Sequence, residues 1–153
     1  MIDRTCAFTG HRIVANRNEI SKKLKETVSN LYDKGYRFFG AGGALGFDTL
    51  AALAVLELRQ KHEDMKLILV LPCINQTEKW KQSDIDLYEE IKNAADKVVY
   101  TSQNYTAGCM LKRNRHLVDN SSIIVSYLTQ SRGGTYYTVN YAKKLGKQII
   151  NLA

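Results

Sequence analysis

The feature that most constrains this chain is an alternation: short apolar runs recur along it, and the stretches between them carry helical spacing. The runs fall at residues 5–9, 37–41, 67–71, 97–100 and 123–127, with a last one at 148–152. Parallel strands need a crossover long enough to hold a helix, so strands alternating with helices read as βαβ units. The pattern predicts an α/β, Rossmann-like three-layer fold, a mostly parallel sheet with helices on both faces. At 153 residues, without an internal linker or repeat, the chain holds one such domain, residues 1–153.

The predicted helices are amphipathic. Over 18–34, Ile20, Leu24, Val28 and Leu31 recur at spacings of three and four, and Gly35 ends the run. Over 47–61, Leu50, Ala51, Leu53, Ala54 and Leu58 form so apolar a surface that the helix is expected to pack flat against the sheet. Further helices are expected at 84–95, 110–120 and 135–145. Pro72, the only proline, follows the third strand, where it removes no central ladder bond.

Composition excludes several classes. No segment has the apolar length of a membrane span, and the first residues lack the basic and apolar regions of a secretory signal, so a cytoplasmic protein is expected. Cys6, Cys73 and Cys109 are odd in number and far apart, which fits neither a zinc site nor a disulfide framework; they are expected to be reduced, buried small hydrophobes. His11, His62 and His116 have no metal-binding spacing, and no metal is implied. The net charge of +7 attracts phosphate-bearing partners without choosing between nucleotides and nucleic acid.

In an open parallel sheet, ligands bind beyond the carboxyl ends of the strands. After the first strand comes Gly10, then His11 and Arg12. After the second, residues 40–48 include Gly42, Gly43 and Gly46 and run into a helix whose first turn carries Asp48. After the fifth, Gly133 and Gly134 precede Thr135, expected to be the cap of the last helix. Glycines let the backbone approach a ligand, and a helix start offers free N–H groups to an anion. The dinucleotide fingerprint is excluded, because it belongs after the first strand with another glycine spacing.

Two such loops facing one crevice predict a ligand with several polar groups. Its phosphate is expected on the amides of Gly42, Gly43, Gly133, Gly134 and Thr135. Arg12, Arg113 and Asn114 would supply charge and donors, and Asp48 is either a first-turn acid or a ribose contact. His11 reads as a turn residue, Trp80 and Tyr88 as packing. No carboxylate pair or nucleophile with its base stands out.

Several motifs in order carry a resemblance: Thr9 to Arg12, Gly42 to Asp48, Pro72 with Gln76 and Trp80, Met110 with Arg113, Asn114 and Arg115, and Gly133 to Thr135 ahead of Tyr141 to Lys144. Together they resemble the YpsA-like branch of the SLOG superfamily, over nearly the whole chain. That superfamily joins DNA-processing protein A (Smf) to the LOG phosphoribohydrolases. The resemblance implies a Rossmann-like fold holding a nucleotide-derived ligand, such as ADP-ribose, NAD or a nucleoside monophosphate, as a sensor or regulatory module. A homo-oligomer is compatible with it.

Two other activities come with the resemblance. LOG enzymes cleave the N-glycosidic bond of nucleoside monophosphates with an arginine near the position of Arg113 and a glutamate where this chain has Thr138. If the chain were such an enzyme, Arg113 would be its catalytic residue, but Thr138 supplies no carboxylate. DNA-processing protein A binds single-stranded DNA, which needs a basic groove with stacking aromatics; no basic-aromatic cluster is visible along the sequence, so the small ligand is preferred.

Overall fold

The computed structural model describes residues 1–153. After a single 3-10 turn at Ile2–Arg4, six strands alternate with five helices. The strands are β1 (Thr5–Gly10), β2 (Phe38–Ala41), β3 (Lys66–Leu71), β4 (Lys97–Tyr100), β5 (Ile123–Tyr127) and β6 (Gln148–Asn151). The helices are α1 (Arg17–Asp33), α2 (Phe47–Arg59), α3 (Gln82–Ala94), α4 (Cys109–Asp119) and α5 (Gly134–Lys144). All pairings are parallel, in the order β4-β3-β2-β1-β5-β6. This is the Rossmann-like α/β fold that the alternation predicts.

Strand order explains the layers. The chain steps outward from β1 to β4, then crosses back to β5 on the other side of β1. Right-handed crossovers therefore put α1, α2 and α3 on one face, and α4 and α5 on the other. The reversal between β1 and β5 is the switch point where two consecutive loops diverge to opposite faces.

The two faces are unequal. The α1–α3 side holds a cluster of 25 buried residues, including Phe8, Phe39, Phe47 and Leu69, whereas the α4–α5 side holds a cluster of 6. By strand alternation, Thr9 and Ser126 point to the thinner side, where Arg113, Thr135 and Thr138 are also buried. Apolar burial secures the first face; polar groups accumulate on the second, beside the switch point.

Gly35 follows α1 at φ +106°, a conformation that L side chains rarely adopt, and ends that helix as expected. Helix α2 corrects one expectation: Leu53 is 39% exposed, because α1, the sheet and α3 leave one stripe of α2 uncovered. All three cysteines are free and buried. No helix is long and apolar enough to cross a membrane, and no cluster of residues could hold a metal ion.

Candidate ligand-binding site

A cavity of about 300 Å³ opens at the switch point. Gly10 and Arg12 enter it from the end of β1, Asp48 from α2, Arg113 and Asn114 from α4, and Gly133, Gly134 and Thr135 from the start of α5. The sequence predicts each of these. The structure adds Thr9, Ala44, Met110 and Gln130; Met110 lies one turn before Arg113 on the same helix face, a spacing readable in the sequence.

Arg113 is the central charge. It is 4% exposed, Nε donates to Asn114 Oδ1 at 2.8 Å, Nη1 donates to the carbonyl of Gly42, and Nη2 reaches Met110 Sδ at 3.7 Å. Burial pulls its pKa down and Asp48 pulls it back up. The guanidinium is thus fixed in a low-dielectric wall, where its field on a ligand is screened little. Arg115, two residues on, projects outside and lies over the Tyr141 ring.

Asp48, 6% exposed, accepts from the Ala44 N–H at 3.2 Å. Burial raises its pKa, opposed by Arg113, the Ala44 hydrogen bond and Arg12. It is the only carboxylate lining this cavity. His11 is a turn residue here: its Nε2 accepts from Thr129 N–H at 3.0 Å, tying the β1 loop to the β5 loop, and burial lowers its pKa. This acceptor role requires the neutral ring.

The two glycine loops are placed differently. Gly133, at φ +93°, is the cap of α5, so Thr135 is not the cap but the second helical residue. Leaving β5 into α5 requires a positive φ, and glycine supplies it where threonine cannot. The first N–H groups of α5 have no intrahelical partner, and Gly134 and Thr135, which carry two of them, line the cavity. Gly42, by contrast, lies behind the cavity: a Cβ there would come 2.8 Å from Arg113 Cζ and 2.9 Å from Asp48 Oδ2. Gly43 and Gly46 line a neighbouring cavity. The expectation that the amides of Gly42 and Gly43 face this crevice is therefore corrected: the first loop reaches it through Ala44 and Asp48, because Arg113 occupies the loop from within.

The arrangement offers an anion site: a helix start, a fixed guanidinium and the exposed Arg12. It does not reproduce a carboxylate at Thr138, whose hydroxyl donates to the Gly134 carbonyl at 2.7 Å. Tyr136 and Tyr137 pack edge to face on each other and do not line the cavity.

Comparison with known proteins bears on the family and the fold. The chain is 31% identical over 150 residues to the SPbeta prophage-derived protein YoqJ of Bacillus subtilis, covering 88% of this chain and 87% of that one. A UPF0398 protein of Brevibacillus brevis is 30% identical over 128 residues, 82% of this chain and 68% of its own length. Among solved structures, DNA processing protein A of Streptococcus pneumoniae superimposes with a TM-score of 0.72 at 18% identity, over 96% of this chain but 49% of that one. The Helicobacter pylori protein of the same name, described by its single-stranded DNA binding mode, gives 0.70 at 20% identity, over 95% and 63%. The chain therefore spans about half to two thirds of these structural neighbours, which show the shared fold. The sequence profile of YpsA, the YspA SLOG family, matches residues 13–151, and the chain belongs to that family.

Proposed function

We propose that this protein binds a nucleotide-derived ligand, a nucleoside monophosphate or an ADP-ribose or NAD-like molecule, in the switch-point cavity, as a sensor or regulatory module. The observation that carries the reading is the buried Arg113 guanidinium set beside the open N-terminus of α5. Phosphate would sit on the amides of Gly134 and Thr135, with Arg12 at the mouth and Asp48 toward a ribose. The test is Gly134→Asp, because a side chain at Gly134 meets nothing within 4 Å and the fold should persist. Thermal shift and titration calorimetry with AMP and ADP-ribose should show stabilisation of the parent and its loss in the variant. Unchanged affinity in a folded variant would overturn the reading.

A nucleotide N-glycosidase is disfavoured, since Thr138 is engaged with the backbone and Asp48 is the single acid at hand. Base release that depends on Arg113 would reinstate it.

A second reading has an observation of its own. Packing of α4 on α5 brings Arg115, Lys144, Tyr137 and Tyr141 around one groove. This is a basic and aromatic surface of the kind that single-stranded nucleic acid requires. Affinity for an oligonucleotide that falls steeply with salt, and falls again in Arg115→Ala with Tyr137→Ala, would favour it.

A further inference from the structure

Next to the switch-point cavity lies another, of about 240 Å³, between α2, α3 and the segment carrying Trp80. The two share Arg12 and Asp48 as lining residues and so adjoin each other. Their chemistry differs. Trp80, Tyr88, Leu87 and Ile91 give the second an apolar and aromatic wall beside the charged Arg17 and Asp84, whereas Ala44 and Met110 are the only apolar side chains lining the switch-point cavity. Resting on the reading above, we infer that this second cavity is the base chamber of the same site, taking the flat heteroaromatic ring of a nucleotide whose phosphate lies at α5.

Two observations carry this. Trp80 is half-buried at the chamber wall, and its contact with Tyr88 is edge to face, 5.5 Å between centroids at 87°, so the two rings do not close on each other as a stack. Arg12 and Asp48, standing at both cavities, bracket the place where a ribose would join phosphate to base.

Trp80 is the only tryptophan, so its emission reports on this chamber alone. AMP and ribose 5-phosphate are titrated into the full chain, with binding followed by calorimetry and by Trp80 fluorescence. Both should bind, but only AMP should change the emission, saturating at the same concentration as the heat. Trp80→Ala should lower AMP affinity on the order of tenfold and leave ribose 5-phosphate unchanged. Leu87→Phe, which narrows the chamber while keeping Trp80, should do the same, and it serves if Trp80→Ala fails to fold. Equal affinities for the two probes with unaltered emission would overturn the chamber and leave the phosphate site standing. Failure of both probes to bind would overturn both.

Discussion

The loops after β2 and after β5 look alike in sequence and differ in what they do. Each follows a central strand, carries several glycines and enters a helix through a glycine of positive φ, +80° at Gly46 and +93° at Gly133. The first is filled by its own chain. Arg113 donates to the Gly42 carbonyl, Phe47 N–H donates to the His11 carbonyl at 3.1 Å, and Gly46 lies directly against the backbone of Arg12. The second is bare: a Cβ at Gly134 meets nothing within 4 Å, and one at Gly133 meets only Gln130 Nε2 at 3.9 Å. One loop is glycine-rich because protein must fit there; the other leaves its backbone open to something else.

The largest effect that would test this contrast is on stability. Gly46→Ala places a methyl group against the Arg12 carbonyl in a conformation costly for any L side chain. It should lose about 3 kcal/mol or more in urea unfolding. Gly134→Ala should stay within about 0.5 kcal/mol of the parent. Equal losses in the two variants would break the distinction between a filled loop and an open one.

Arg113 sharpens the same contrast, since it plugs the first loop while lining the cavity onto which the second opens. Arg113→Met keeps much of the packing but removes the donors. It should weaken AMP binding by roughly 30-fold, the worth of a charge-assisted hydrogen bond of about 2 kcal/mol. Arg113→Lys should restore little, because an ammonium cannot serve Gly42, Asn114 and a phosphate from one planar fork. Arg115→Met, outside the cavity, is the control and should bind AMP as the parent does. A Lys variant that binds normally would mean that charge alone, not the fork, makes the site.

These contrasts mark what the sequence could and could not reveal. Strand and helix positions agree with the periodic reading to within a few residues, because alternation between β-rich and amphipathic runs is strong in a doubly wound sheet. Asp48 and the 133–135 loop were legible as candidate site residues because they begin helices at the carboxyl edge, and Arg113 because arginine beside Asn114 offers a planar fork of donors. The role of the 42–46 loop was not, since nothing local to it announces that an arginine 71 residues away fills it. Nor was the Trp80 chamber, built where α1, α2 and α3 meet, or the Arg115 and Tyr137 groove, which exists only once α4 packs on α5. Thr135 has the residue type of a cap, but the positive φ needed at the turn assigned that place to Gly133. Leu53 shows the same limit from the other side: apolar identity does not say how many neighbours a helix will have.

The smallest expected effect concerns the acid of the filled loop. Burial raises the pKa of Asp48 above its ordinary 3.8, against the pull of Arg113, the Ala44 N–H and Arg12. Below 3.8 the group is neutral in both folded and unfolded chains, so it costs nothing. As pH rises through the folded value, the unfolded chain has released its proton while the folded chain resists, and stability is lost. Asp48→Asn keeps an oxygen for the Ala44 N–H but has no proton to lose. The variant should therefore match the parent's trend at low pH and gain on it in urea unfolding as pH rises above the ordinary aspartate value of 3.8. Gly134→Ala, in the loop without an acid, should track the parent at every pH. If instead Asp48→Asn falls behind as pH rises, Arg113 and the loop amide overcome burial, and the first loop is held by charge rather than merely filled.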